Sequence, residues 1–263
     1  MLSYVAKIFK YICITNMMFE ITSELAEICG IHAGDGYLRN DGKRKELDIS
    51  GSTEEQVYYE EYVIPLVRKV FNIDIKGKFF PSRNTYGFVV RNKEIINFFH
   101  KLGFPYGNKT LIVAVPDFVL NNKEFSYHFL RGLLDTDGHI NFRKFYGKYK
   151  EFKTKYANYP SIQFTSVSKT LIQQISLLIE KLGLTFNIYT RTPKRINENI
   201  SYKITLNGIK NMEKWMEMIG SKNEIKLSRY RIWKKFGFCP TRLSFKQRED
   251  ILKGKLDPYL LGS

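Results

Sequence analysis

The sequence contains two copies of one pattern, each about 110 residues long, and this internal repeat limits the folds that the chain can adopt. Each copy opens with an apolar segment that ends in Asp-Gly, first at Asp35-Gly36 and then at Asp137-Gly138, 102 residues later. Later landmarks keep the same order at a spacing of 113 residues, because the second copy has extra residues between 142 and 160. Two similar halves are therefore predicted.

Each copy shows the same succession of predicted elements: helix, two strands, helix, two strands, helix. In the second copy, Ser161, Gln163 and Thr165 alternate with Ile162 and Phe164. Such alternation predicts antiparallel strands with one face on helices and the other in water. The predicted fold class is α+β, with two pseudo-symmetric αββαββα halves. Their open sheet faces, rich in Lys, Arg, Ser, Thr and Gln, would form one long basic saddle.

The repeat also divides the chain. We predict an N-terminal leader over 1–19, a first half over 20–122, a second half over 123–240 and a C-terminal tail over 241–263. The leader is apolar but too short to span a bilayer. The tail is basic and aromatic, which favours an added helix or a clamp on a polyanion.

The composition indicates a polyanionic partner. The chain has 42 Lys and Arg residues against 26 Asp and Glu residues, a formal net charge of +16, and 15% aromatic residues. This combination favours nucleic acid. The hydrophobic content of 43% excludes a disordered basic tail.

The cysteines favour a reducing compartment. Cys13, Cys29 and Cys239 are far apart and form no Cys-x-x-Cys pair. We therefore expect neither a disulfide framework nor a structural zinc site. The expected location is intracellular, either the cytoplasm of a prokaryote or an organelle.

Small residues recur in the two helices that open the copies. Glycine inside a helix costs about 1 kcal/mol relative to alanine. Gly30, Gly34 and Gly132 therefore indicate a contact in which two helices approach closely through their backbones. Gly36 and Gly138 are expected to adopt the left-handed conformation that ends a helix.

The acids at the ends of these helices are electrostatically unfavourable. The C-terminus of a helix carries a partial negative charge, so a carboxylate there costs roughly 0.3–1 kcal/mol. Because Asp35 and Asp137 repeat this feature, they indicate a compensating cation. If the helices pack side by side, the two carboxylates meet and form a site for a hard divalent metal. His32 is expected to pack within its own half rather than to bind metal.

The segment LRGLLDTDG, residues 130–138, resembles the LAGLIDADG motif. The segment ICGIHAGDG, residues 28–36, is a looser copy with Ala33 where the motif has its first acid. The chain is therefore identified as a single-chain, two-motif member of the LAGLIDADG homing endonuclease family, a resemblance that covers residues 20–240. It implies that each half has a curved antiparallel sheet in the DNA major groove and that the motif helices form the interface.

The resemblance also implies an activity. It predicts a site-specific endonuclease, encoded by an intron, that cleaves a long asymmetric target in double-stranded DNA. Asp35 and Asp137, with Gly34 and Thr136 beside them, would bind Mg²⁺, for which Mn²⁺ could substitute. Metal held there can supply a hydroxide, an in-line geometry and charge neutralisation. We expect a monomer with an internal pseudo-twofold axis and no membrane partner.

Further site residues follow from position. Lys109 and Lys222 lie 113 residues apart and are the candidates for stabilising charge or polarising the attacking water. Candidate DNA-binding residues on or beside predicted strands are Arg39, Arg143, Gln163, Arg191, Lys194, Arg195 and Lys203. Arginine and lysine can reach phosphates or guanine edges, and glutamine can read adenine.

Two alternatives stay open on the sequence. The chain could be an RNA maturase that helps an intron to splice, or a non-catalytic DNA-binding protein of the same fold. The presence of both penultimate acids counts against the non-catalytic protein. An intein origin is disfavoured because no splicing block or terminal His-Asn pair is found.

Overall fold

The computed structural model describes residues 19–144, 155–193, 195–196 and 198–261. The first half contains α1 (Ser23–Asp35), β1 (Gly36–Asn40), β2 (Lys45–Ser52), α2 (Ile64–Phe71), β3 (Lys78–Phe80), β4 (Thr85–Val90) and α3 (Lys93–Lys101). The second half contains α4 (Asp117–Leu120), α5 (Lys123–Asp135), β5 (His139–Arg143), β6 (Tyr159–Ser166), α6 (Lys169–Lys181), β7 (Asn187–Arg191), β8 (Ser201–Asn207) and α7 (Ile209–Met218). Two more helices follow, α8 (Glu224–Phe236) and α9 (Phe245–Leu252).

Both halves have the same sheet. The strand orders are β1-β2-β4-β3 and β5-β6-β8-β7, and every pairing is antiparallel. In the centre of each sheet, Ile49 pairs with Phe88 and Ile162 pairs with Leu206, all four buried. The predicted α+β fold with two αββαββα halves is confirmed.

The segment between β2 and α2 is helical but irregular. It consists of a 3-10 turn (Thr53–Glu55), an α-helical turn (Gln56–Tyr58) and a π-helical turn (Tyr59–Val63). A π-turn inserts an extra residue into the helical repeat and so rotates the side chains that follow. Here the turn contains Tyr59 and Tyr62, both of which reach α1.

The motif helices α1 and α5 pack through glycine, as predicted. A Cβ atom on Gly30 would lie 2.1 Å from the carbonyl oxygen of Phe129, and one on Gly132 would lie 2.3 Å from that of Glu27. Both contacts relate residues 102 positions apart in the repeat, so the interface is itself pseudo-symmetric.

Beside the glycines, the interface contains an ion pair. The carboxylate of Glu27 accepts hydrogen bonds from Arg131 Nε and from the hydroxyl of Tyr62, both at 2.8 Å. Glu27 is only 1% exposed. A carboxylate so deeply buried needs these partners, because an unpaired buried charge is strongly destabilising.

The predicted left-handed glycines are a point of correction. Gly36 has an extended backbone, with φ −84° and ψ 152°, and Gly138 is not among the glycines with positive φ. Space explains these glycines instead, because a Cβ on Gly36 would lie 2.0 Å from His32 Nδ1 and one on Gly138 2.7 Å from the Cα of Leu134.

The C-terminal helices pack on the second half. Ile251 of α9 is fully buried, and Arg248 donates hydrogen bonds to Ser228 of α8 at 2.9 Å and to the carbonyl of Leu243 at 2.6 Å. Of the predicted leader, the structure describes Phe19, whose ring packs on Phe71 and Phe98. No helix within the described ranges is long and apolar enough to cross a membrane.

Candidate active site

Asp35 is the last residue of α1 and is held by the π-helical turn. The hydroxyl of Tyr59 donates a hydrogen bond of 2.6 Å to Asp35 Oδ2. A glycine at position 51 leaves room for this contact, since a Cβ there would lie 2.6 Å from Asp35 Oδ2 and 3.0 Å from Glu55 Oε2. Asp35, Tyr59 and Glu55 thus gather over Gly51.

The electrostatics of this side favour a cation. Burial raises the pKa of Asp35 to about 7, the charges of Asp137 and Glu55 add to the rise, and the Tyr59 hydroxyl opposes it. Burial also raises the pKa of Glu55. A bound metal ion would favour the charged form of these carboxylates and offset their repulsion.

Asp137 lies two residues beyond the end of α5 and is exposed. No residue in the described ranges donates a hydrogen bond to its carboxylate. Beside it is a cavity of about 300 Å³, whose lining includes Lys109 and the apolar side chains of Leu171, Ile172 and Ile175. The two acids therefore share a place in the repeat but not an environment.

Two lysines bind the carbonyls at the ends of the motif helices. Lys109 Nζ donates to the carbonyl of His32 and, at 2.7 Å, to that of Gly34. Lys226 Nζ donates to the carbonyl of Thr136 at 2.9 Å and to that of Gly138 at 2.5 Å. Each lysine thus contacts the carbonyl just before one acid.

Both lysines are desolvated. Burial lowers the pKa of Lys109 to about 8, against the charges of Asp137 and Asp35. Burial likewise lowers the pKa of Lys226, against Glu55, Asp135, Asp35 and Asp137.

The counterpart of Lys109 is therefore Lys226 and not Lys222, which corrects the pairing made from the repeat spacing. Lys222 Nζ lies over the ring of Tyr62, 5.7 Å from its centroid. Counted from the last residues of α3 and α7, Lys101 and Met218, both site lysines lie eight residues on. The offset from the preceding helix would have identified Lys226, whereas the offset from the strands did not.

A network that the sequence did not predict joins the halves behind this site. The carboxylate of Asp135 accepts hydrogen bonds from Ser221 Oγ and, at 2.7 Å, from the backbone amide of Lys222. Asn223 Nδ2 donates to Glu55 Oε1 and to the carbonyl of Asp135, both at 2.8 Å. The first motif has Ala33 in the position of Asp135, so this network exists on one side only.

His32 behaves as predicted. It is 1% exposed and its ring packs against Phe99 and Phe104, with centroids 5.0 and 4.5 Å away. It is a core residue of its own half.

The donor set fits a hard divalent cation. The segments of the two acids touch, because a Cβ on Gly34 would lie 2.2 Å from Thr136 Oγ1 and 3.3 Å from the amide nitrogen of Asp137. The described ranges contain no group of three or more His, Cys, Asp or Glu side chains that could hold a metal. The candidate ligands are therefore two carboxylates and two carbonyls, all oxygen, as Mg²⁺, Mn²⁺ and Ca²⁺ prefer. A carbonyl that accepts from a lysine keeps a second lone pair for a metal.

Two of the candidate DNA-binding arginines are ion-paired on the sheets. Arg39 of β1 pairs with Asp41 at 2.7 Å, and Arg191 at the end of β7 pairs with Glu198 at 2.8 Å. Lys194 lies outside the described residues.

The other candidates lie on or beside the second sheet. Arg143 lies over the ring of Tyr159 and Lys203 over that of Tyr189, at 5.2 and 5.6 Å from the centroids. The remaining two are Gln163, whose Nε2 donates to Ser161 Oγ at 3.1 Å, and Arg195, which is exposed after β7.

Known proteins match this arrangement of helices and sheets. The family model of a LAGLIDADG-like domain matches residues 124–220. A structure of the homing endonuclease I-DmoI in complex with DNA and Mn superposes with a TM-score of 0.51 and 16% identity, over 75% of this chain and 96% of that chain. A mutant of I-SmaMI superposes with a TM-score of 0.52 and 14% identity, over 82% of this chain and 91% of that chain.

The chain has the LAGLIDADG fold. The resemblance that the two motifs indicated is thereby confirmed. At identities of 14 to 16%, the superpositions establish the fold alone.

Two curated relatives are much longer proteins. A subunit of the A-type ATP synthase of Pyrococcus abyssi is 25% identical over 195 residues, and the ATP-dependent DNA helicase Hel308 of Thermococcus kodakarensis is 28% identical over 171 residues. The matches cover 74% and 63% of this LAGLIDADG chain but only 16% and 13% of those proteins. The chain thus spans about a sixth or less of either relative.

Proposed function

We propose that the chain is a site-specific endonuclease that cleaves double-stranded DNA at a long asymmetric target by metal-dependent phosphodiester hydrolysis. The observation that supports this most is the meeting of Asp35 and Asp137 at the ends of two glycine-packed helices, with a buried lysine beside each acid. A merely structural interface has no use for two desolvated lysines beside two carboxylates.

Each group has a part in this proposal. Asp35 and Asp137, with the carbonyls of Gly34 and Thr136, hold divalent metal, which supplies a hydroxide nucleophile and neutralises charge. Tyr59 orients Asp35 through its hydrogen bond. Donors that are fixed before the reaction stabilise developing charge at little reorganisation cost. We therefore assign the pre-positioned ammonium groups of Lys109 and Lys226 to the two scissile phosphates.

The cofactor and partner follow from the same chemistry. We propose Mg²⁺ as the metal and Mn²⁺ as a substitute; the I-DmoI complexes contain DNA with Mn or Ca. The net charge of +16 suits a polyanion. With both motif helices in one chain, the active unit would be a monomer, intracellular and encoded by an intron.

A plasmid assay tests the proposal. The substrate is a supercoiled plasmid that carries the uninterrupted sequence of the gene in which this reading frame lies, incubated with Mg²⁺, Mn²⁺ or EDTA. One double-strand cut that requires metal is the expected result. Binding to the intron transcript without any cut would favour the maturase, and DNA binding without a cut would favour the non-catalytic protein.

A further inference from the structure

A second cavity opens on the second half, between β5, β6 and α8. Its volume is about 340 Å³, and its lining includes His139, Gln163, Lys226 and Arg229. None of the described residues that line it is acidic. The cavity is thus a pocket with a surplus of positive charge, although it has no part in the metal site.

Arg229 is the cation of this pocket that has no partner. It is half-buried, and within the described ranges it forms no ion pair and donates no hydrogen bond. Its charge acts instead on other cations: burial and then the charges of Lys226 and Arg229 lower the pKa of His139, with Asp137 opposing. Burial and then the charge of Arg229 also lower the pKa of Arg248. Five N–H donors beside like charges await an anion.

The pocket adjoins the candidate active site. Lys226 belongs to both, because its ammonium group contacts the carbonyls of Thr136 and Gly138, which flank Asp137. Arg229 follows Lys226 by three residues on α8, so both side chains lie on one helix face. An anion held by Arg229 would therefore lie beside the phosphate that Lys226 serves.

The first half has no such pocket. Tyr37 holds the place of His139, and Asp48, which pairs with Tyr37 as Gln163 pairs with His139, holds the place of Gln163. Three residues after Lys109 stands Ile112, which is 61% exposed. The corresponding positions are thus apolar or acidic, and the cationic pocket is specific to the second half.

We propose that this pocket binds one backbone phosphate of the DNA, next to the scissile phosphate on the side of the second half, with Arg229 as its principal ligand. The inference rests on the proposed function and adds to it a phosphate contact that only one half makes. Arginine suits this role because its planar guanidinium binds phosphate oxygens in pairs.

The test compares two arginines of α8 that carry the same charge. Arg229→Gln removes the pocket ligand, whereas Arg231→Gln removes an exposed arginine that is paired with Glu224. The affinity of each protein for a fluorescent duplex of about 30 base pairs, selected with the wild type from a randomised library, is measured without divalent metal across a range of salt concentrations. Each phosphate contact contributes about 0.9 to the slope of log affinity against log salt.

Arg229→Gln should lower the slope by about 0.9 and the affinity roughly ten- to hundredfold. Arg231→Gln should leave the slope unchanged, and Arg229→Lys should keep it, because the charge remains. Equal slopes for the wild type and Arg229→Gln would overturn the proposal. So would a lost preference at a single base pair with an unchanged slope, because Arg229 would then read a base.

The design separates this proposal from the proposed function. A wild type that selects no duplex contradicts DNA recognition itself, whereas a wild type that binds while Arg229→Gln behaves like Arg231→Gln contradicts only the pocket. Thermal melting shows whether each variant is folded. If Arg229→Gln is not, a neutral methylphosphonate is placed at each position of the duplex in turn, and the wild type is compared with Arg229→Lys. The proposal expects one position, beside the cut, at which the substitution weakens only the wild type markedly, and it fails if no such position exists.

Discussion

Asp35 and Asp137 occupy matching places in the two halves, yet one is enclosed and the other is open. Asp35 accepts a hydrogen bond from Tyr59 and lies near Glu55, whereas Asp137 is exposed beside a cavity of about 300 Å³. Counted from the last residues of β2 and β6, the counterpart of Tyr59 is Gln173, an exposed residue of α6. The repeated backbone is thus shared, while the surroundings of each acid are set separately.

A second contrast concerns the loop that precedes each site lysine. In the second half, Asp135 and Asn223 tie this loop to the first half through Glu55. The first half has Ala33 in place of Asp135 and forms no such tie. The comparison teaches that the metal site is symmetric at its centre and asymmetric in what supports it, which suits a target that is itself asymmetric.

The largest expected effect tests the symmetric centre. Asp35→Asn or Asp137→Asn should abolish cleavage of both strands, because the two acids share the metal. DNA binding should stay within about tenfold, since phosphate and groove contacts carry most of the affinity. Plasmid cleavage and duplex binding measure the two effects, and cleavage at the wild-type rate by either variant would disprove a two-carboxylate site.

The next effect separates the strands. Lys109→Met and Lys226→Met should each slow the cut of one strand roughly 10²- to 10³-fold, the value of one electrostatic stabiliser. The two variants should therefore nick opposite strands of a supercoiled plasmid labelled on each strand in turn. Lys222→Met is the control and should cut both strands like the wild type. Equal slowing of both strands by Lys109→Met and Lys226→Met would show that the lysines only bind DNA or support the fold.

A third prediction concerns the interface that brings the acids together. Gly30→Ala and Gly132→Ala should each lower the free energy of unfolding by about 1–3 kcal/mol or more, because the new Cβ would meet a carbonyl of the facing helix. Since the two contacts are pseudo-symmetric, the losses should be similar. Urea titration measures them, and a gain in stability, as at an unobstructed helical glycine, would contradict the close packing.

The smallest effect sharpens the contrast between the acids. Tyr59→Phe removes the hydrogen bond that lowers the pKa of Asp35, so this pKa should rise further above about 7. Cleavage that needs the ionised acid should fall roughly three- to tenfold at neutral pH and recover as the pH rises. Rates between about pH 6 and 9 test this. Gln173→Leu on the other side should leave the profile unchanged, and an unchanged profile for Tyr59→Phe would mean that the hydrogen bond does not tune Asp35.

Much of the fold and the centre of the site could be predicted from the sequence because those features are local. Alternating strands such as 161–165 form a half-buried sheet wherever they pair, and the glycines at 30 and 132 bring two helices into contact. Once the glycines meet, acids at repeat-equivalent places must lie together. The two halves, the sheets and the meeting of Asp35 with Asp137 are thus properties of the sequence itself.

Only the tertiary structure decided which other side chains reach the acids. A π-helical turn rotates Tyr59 toward Asp35, and a change of four residues in loop length makes Lys226 rather than Lys222 the counterpart of Lys109. Gly36 shows the same limit, because crowding by His32 and not its backbone angle requires a glycine there. In a helix each residue turns the side chain by about 100°, so a small difference in spacing sends a different residue into the site, and sequence order alone does not reveal that difference.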